Sequence, residues 1–305
     1  MAVGAVALLV VTVATAGRAQ GPAPAPLDWW ADDSARVAFL VAHGRAYHKP
    51  PVIVWAPTDS LDAAWVAAFT DSLAAGVTGI KALIGGPYPW QRIETRPVVF
   101  YLSPGRFVSH ADGRDGVFIS LNRVRRREAP YLHEASHVLL APKRPFGPFE
   151  YSDSITQEKA AAVFPFWLME GLPDYLAQTT AARSGFPEGD VFEIGGLAKV
   201  DSVCAARLTT SNRRSEILER VGHSGPLEAL FTTDRQMVAP IYYACSQSLT
   251  KYLVGRIGLP ATVALFPRIP DGSWLKVLRT AAGESLEDVR RKWLTSLPGR
   301  TPEPQ

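Results

Sequence analysis

His133-Glu134-Ala135-Ser136-His137 is the stretch whose reading decides this chain. It lies in a segment that reads as helix, with Pro130 where a first helical turn belongs and Pro142 and Pro145 ending it. On an α-helix, residues four apart share a face, so both imidazoles can point at one metal ion. Glu134 follows the first His directly and projects beside that site, where it can take a proton from a water that the metal activates. That is the minimal equipment of a zinc hydrolase. The plain alternative is a chance pentapeptide with two surface histidines, and the surrounding sequence decides between them.

Two histidines alone bind zinc weakly, whereas catalytic zinc sites have three protein ligands and an open water position. Phe166-Trp167-Leu168-Met169-Glu170-Gly171-Leu172-Pro173-Asp174-Tyr175-Leu176 offers the third. Glu170 sits on a second amphipathic helix, and its apolar neighbours turn it towards the core. A carboxylate is costly to bury there without a cation, which a metal supplies. An ordinary helical Glu beside a Gly kink is the competing reading.

Outward from these segments the chain reads as α+β. Residues 51–56 form a buried strand bounded by Pro50 and Pro57, and 60–83 a helix with Ser60 or Asp59 as N-cap, stopped at Gly85-Gly86-Pro87. Strands follow at 96–102 and, after the turn residues 112–115, at 116–121. The second half reads as helices at 166–180, 226–232, 238–257, 260–266 and 285–297. This gives a small mixed sheet with the motif helix over residues 50–165, then a mostly helical lobe over 166–298, with a tail at 299–305. A cleft between two such lobes is a favoured ligand site.

At 305 residues the chain can bury one large core or two packed lobes. A net charge of +3 is too weak to argue for a nucleic-acid partner. Residues 1–20, MAVGAVALLVVTVATAGRAQ, form an apolar run ending in small residues, as a secretory signal cleaved near Ala19 or Gln20 does. Its one cation, Arg18, follows the run instead of preceding it, so an uncleaved membrane anchor is the alternative. Residues 21–49 begin with a Pro-rich tether, and no later apolar stretch reads as long enough to span a bilayer. The expected location is therefore periplasmic or secreted. In an exported chain the two cysteines, Cys204 and Cys245, permit a disulfide; two buried thiols are the other reading.

The HExxH segment followed by Trp167-Leu168-x-Glu170-Gly171-Leu172-x-x-Tyr175 resembles the gluzincin metallopeptidases, the group of thermolysin and the aminopeptidase-N-like enzymes. It is most similar to bacterial peptidase MA-like proteins, over residues 96–297. The resemblance implies a zincin-like lobe, one Zn2+ on His133, His137 and Glu170, and Glu134 as general base. It also implies that Asp174, one helical turn after Glu170, orients a ligand imidazole. A further segment, Tyr243-Ala-Cys-Ser-Gln-Ser-Leu-Thr-Lys-Tyr252-Leu-Val-Gly-Arg-Ile-Gly258, resembles the aminopeptidase-N-like branch, where the leading Tyr stabilises the oxyanion. That implies Tyr243, with Tyr242 as the neighbour left open.

There are departures from the family. The Gly-Ala-Met-Glu-Asn segment that grips a substrate amine is absent, and 116–121 reads instead as a plain substrate-binding edge strand. Both favour an endopeptidase, or a specificity still unassigned, over aminopeptidase action, with a peptide or protein as the expected substrate. The spacing from His137 to Glu170 is long and implies an inserted loop at 141–160. Arg123, Arg125, Arg126 and Arg127 read as a solvated loop group before the motif helix, His223 as a surface loop residue, and His43, His48 and His110 as residues without a supporting pattern. The rival functions are a non-catalytic zinc-binding or scaffold envelope protein, and a zinc hydrolase of another acyl substrate.

Overall fold

Val52–Pro57 (β2) and Val98–Ser103 (β3) alternate buried and half-buried side chains, the period of strands with a face on a core. With Gly44–Lys49 (β1), His110–Ala111 (β4) and Gly116–Ser120 (β5) they form a mixed sheet in the order β1-β2-β3-β5-β4. The β2–β3 and β3–β5 pairs are parallel, and the outer pairs β1–β2 and β5–β4 are antiparallel. A computed structural model describes residues 33–85, 96–112, 115–141, 165–212, 214–222, 235–269 and 272–299. The N-terminal apolar run and tether, the expected loop up to 160, the expected helix at 226–232 and His223 lie outside the described residues, Ala141 excepted.

The expected strand at 116–121 is β5, but it is not the edge. It lies between β3 and β4 and is buried along its length, so among the described residues β4 is the edge strand on that side of the sheet. Its last expected residue, Leu121, instead starts a short helix, Leu121–Arg126 (α3), capped by the Ser120 hydroxyl. This also corrects the reading of the arginines. Arg123, Arg125 and Arg126 occupy the last turn of α3 and Arg127 its left-handed C-cap, where the helix dipole favours cations.

Ala63–Ile84 (α2) crosses from β2 to β3. Val66, Phe69, Leu73, Val77, Ile80 and Ile84 form a buried stripe of helical period along it. Its N-cap is Asp62, which accepts the Trp65 N–H at 2.8 Å; the expected cap, Ser60, donates instead to Asp59. Contrary to the reading that no later stretch is long enough to span a bilayer, α2 has the necessary length and hydropathy. Its buried stripe makes it a core helix of this fold.

The motif helix, Tyr131–Leu140 (α4), lies against α2 at Gly76, where a Cβ would come within 2.7 Å of Leu132 Cδ2. Phe166–Ser184 (α5) meets α2 at Gly79, where a Cβ would come within 2.9 Å of Thr180 Cγ2. The remaining helices are Asp33–His43 (α1), Val200–Thr210 (α6), Arg214–Arg220 (α7), Arg235–Ile257 (α8), Leu259–Val263 (α9), Trp274–Ala282 (α10) and Leu286–Ser296 (α11). The expected helix at 260–266 is thus shorter and is followed by a 3₁₀ turn at Phe266–Arg268. Ser285 starts α11 as a capping box with Asp288.

α8 is fixed from several sides. Cys245 forms a disulfide with Cys204 of α6, closing a loop of 41 residues; chain entropy alone makes that worth about 4 kcal/mol. Asp201 accepts from Ser248 (2.7 Å) and Lys251 (2.5 Å), and the Trp293 indole donates to the Ser248 hydroxyl. One continuous apolar cluster runs from the sheet through α4 and α5 to Leu253 and Trp293.

Gly171 is not a kink but a contact point. A Cβ there would stand 2.2 Å from Thr250 Oγ1 and 2.7 Å from the Ser246 carbonyl oxygen, so only glycine lets α5 and α8 cross this closely. Gly171→Ala should therefore lower the unfolding free energy by about 1–3 kcal/mol, measured by denaturant titration. Wild-type stability in that variant would mean that the crossing is looser than described.

Candidate metal centre

α4 buries Leu132, Ala135 and Leu139 in the core, which leaves His133 and His137, one turn apart, on the opposite side towards α5. There the His133 and His137 Nε2 atoms are 3.0 Å apart, and Glu170 Oε2 lies 3.5 Å from the first and 3.7 Å from the second. These three residues form a group that could hold a metal ion. Donors bound at about 2.05 Å in a tetrahedral array are spaced by about 3.3 Å, and the three observed separations bracket that value.

Asp174, one turn after Glu170 on α5, accepts from His133 Nδ1 at 2.7 Å. That hydrogen bond fixes the tautomer and leaves the Nε2 lone pair facing His137 and Glu170. With His133 neutral, three lone pairs at such distances repel, and either a proton or a metal ion among them relieves this. Electrostatics agrees. Burial opposes charge on His133, yet Asp174 and Glu170 hold its pKa well above the ordinary histidine value. Burial likewise opposes charge on Glu170, but His137 and His133 keep its carboxyl well below the usual range.

Glu134 is 6% exposed and lines a cleft of about 770 Å³ that also contains both histidines, Glu170 and Asp174. Tyr243 reaches the same cleft from α8, while Tyr242 is buried in the core. Burial and then the charges of Glu170, Asp174 and Glu134 push the Tyr243 phenol well above its usual pKa, so it stays a neutral donor. The structure therefore brings all six sequence-derived residues to one place, with Tyr243 rather than Tyr242 at the cleft.

Other residues at this site carried no signal in the sequence. Pro130 gives α4 no side-chain cap, and the vacant donors are met from 55 residues away: Glu188 accepts the N–H groups of Leu132 (2.8 Å) and His133 (2.9 Å). Its loop is docked by Phe186 against Tyr131 and Phe69, and by Gly189, whose Cβ would collide with the backbone of Glu128 and Ala129. Further along, Phe192 stacks on Tyr243 at 4.4 Å between ring centroids, and Arg207 donates to the carbonyls of Phe192 and Pro240. One loop thus touches both the motif helix α4 and the cleft tyrosine. A bidentate glutamate from so far along the chain leaves no local spacing to read.

His110, discounted in the sequence, lines the cleft on edge strand β4. Both ring nitrogens face acceptors, Nδ1 the Val108 carbonyl and Nε2 Asp33, each at 2.9 Å, which fits an imidazolium. Burial opposes that charge, but the Asp33 and Val108 contacts outweigh it and raise the pKa. Arg123 also lines the cleft, from α3. No protein-family model, curated protein or solved structure matches this chain.

Two outcomes follow from this geometry. Glu188→Ala should cost about 0.5–2 kcal/mol of stability, as for loss of a helix cap. It should also weaken metal binding by about tenfold or more, since the first metal-binding histidine loses its backbone anchor. Chelator competition beside thermal melts measures both, and unchanged affinity would make Glu188 purely structural. The pH dependence has a definite sign. Protons compete with the metal for His133, whose pKa is raised, so affinity should fall as pH falls, beginning above the ordinary histidine range. In the metal-free protein the linkage is opposite: stability from protonated His133 is present at low pH and is lost as pH rises through that raised pKa.

Proposed function

We propose that this chain is an exported zinc metallopeptidase of gluzincin type that cleaves within peptide or protein substrates. The observation that carries the reading is the convergence of His133 Nε2, His137 Nε2 and Glu170 Oε2, with Asp174 behind His133. Two imidazoles and one carboxylate are a donor set of catalytic zinc sites, and all three line the cleft. When bound, zinc supplies Lewis acidity, which acidifies water and polarises a substrate carbonyl.

The chain's own groups supply the rest. Glu134 accepts a proton from the attacking water and delivers it to the leaving amine. The Tyr243 hydroxyl, kept neutral by its surroundings, donates a hydrogen bond to the oxyanion that forms on the carbonyl. Asp174 holds the His133 ring in one tautomer and orientation. Strand β4 is an edge strand at the cleft, so an extended peptide can add to it through main-chain hydrogen bonds. A strand edge at the cleft suits a chain passing through, which favours endopeptidase action. The disulfide suits an oxidising, extracytoplasmic compartment.

Digestion of a peptide library by the zinc-loaded protein, with the metal-free protein as control, tests the activity. Glu134→Gln should keep zinc and fold but lose cleavage, because a carboxamide cannot accept the proton. Loss of zinc in that variant would make Glu134 a ligand or structural residue instead. Tyr243→Phe should lower kcat by about one to three orders of magnitude with little change in KM. A changed KM with kcat intact would assign Tyr243 to ground-state binding. Zinc bound tightly with no peptide cleaved would support the scaffold alternative.

A further inference from the structure

α8 presents a second polar group to the cleft. Gln247 follows Tyr243 by one helical turn, so both side chains leave the same face of the helix, and both line the cleft. Gln247 is 2% exposed, yet among the described residues its Oε1 has no hydrogen-bond partner. Ser109, just before edge strand β4, also lines the cleft; it is 5% exposed and its hydroxyl is likewise unpartnered. The unpartnered hydroxyls of Thr179, Thr180, Ser246 and Thr250 differ, since none of them lines the cleft. An idle buried acceptor is unfavourable unless something entering the site supplies its donor.

A carboxamide offers an acceptor oxygen beside a donor NH₂, which complements the N–H and C=O of another amide. It carries no charge, and the same cleft is walled by apolar groups that include Phe166, Ala239, Pro240 and Phe266. A charged partner would give up its hydration there without a counter-charge from Gln247, whereas a neutral N–H gives up less and regains it in one hydrogen bond.

We infer that Gln247 is a substrate-recognition residue whose side-chain oxygen accepts a hydrogen bond from an uncharged amide N–H of the substrate, beside Tyr243, with Ser109 as a second polar contact. The ligand is an amide-bearing chain, and the N–H belongs either to a peptide backbone or to an Asn or Gln side chain. The inference rests on the metallopeptidase reading, because that reading places a substrate over His133, His137 and Glu170.

Calorimetric binding to the zinc-loaded full chain tests it with metal-anchored probes. Acetohydroxamate reports the metal site alone. One set of peptide hydroxamate pairs differs in a backbone amide replaced by an ester oxygen; a second set differs in Gln replaced by norleucine. The variant is Gln247→Met, which keeps the length and apolar bulk but removes the acceptor, with Gln247→Ala in its place if Met does not fold. Acetohydroxamate should bind wild type and variant equally. Wild type should prefer the N–H-bearing member of one pair by about tenfold, and the variant should lose that preference. The pair concerned identifies backbone or side chain as the source. The same preference in variant and wild type, or none in wild type for any pair, overturns the inference and leaves the metal-site reading standing. Failure of acetohydroxamate to bind the zinc-loaded wild type overturns that reading, and this inference with it.

Discussion

Two carboxylates one turn apart on α5 face two imidazoles one turn apart on α4, across a helix contact that leaves all four side chains largely buried at the edge of the cleft. This arrangement is unstable in isolation. Once Asp174 has fixed the His133 proton on Nδ1, the Nε2 atoms and Glu170 Oε2 turn lone pairs towards one another at 3.0–3.7 Å. A cation relieves that repulsion. The raised pKa of His133 and the lowered one of Glu170 express the same demand in protons. Everything around the site can be understood as holding these four groups in that arrangement against their tendency to separate.

The holding is done largely by small residues and long-range contacts. Gly76, Gly79 and Gly171 let α4, α5 and α8 approach where any Cβ would intrude on a neighbour. Close packing of this kind transmits position: Gly171 follows Glu170 directly, so the crossing with α8 sets where the carboxylate points and where Tyr243 and Gln247 stand relative to it. Glu188 does the equivalent at the other end by anchoring the first turn of α4. The loop that carries Glu188 also carries Phe192 against Tyr243, so the motif helix α4 and the cleft face of α8 share one support.

Residues whose role depends on local spacing were legible in the sequence. Asp174 was suggested by the family resemblance, its one-turn offset from Glu170 being compatible with it, whereas His133 and His137 were readable because four residues make one helical turn. The stripe on α2 and the alternation in β2 and β3 were readable for the same reason. What escaped has a common cause. Glu188, Phe192 and His110 gain their meaning from partners far along the chain, Gln247 from the cleft that its helix faces, and α3 is too short to show a period. β5 was recognised as a strand, but its place inside the sheet depends on the two-residue β4, which no pattern announces. Glycine at 171 was visible as a residue, but only the crossing with α8 explains it.

The central claim is that His133, His137 and Glu170 together hold one catalytic metal ion. Zinc-edge X-ray absorption on the protein reconstituted with one equivalent tests it most directly. The account predicts a nitrogen and oxygen shell at about 2.0–2.1 Å, two imidazole scatterers and no sulfur, with the signal lost in His137→Ala and its carboxylate contribution altered in Glu170→Gln. An intact zinc shell in both variants, or no zinc retained by the wild type, would contradict it.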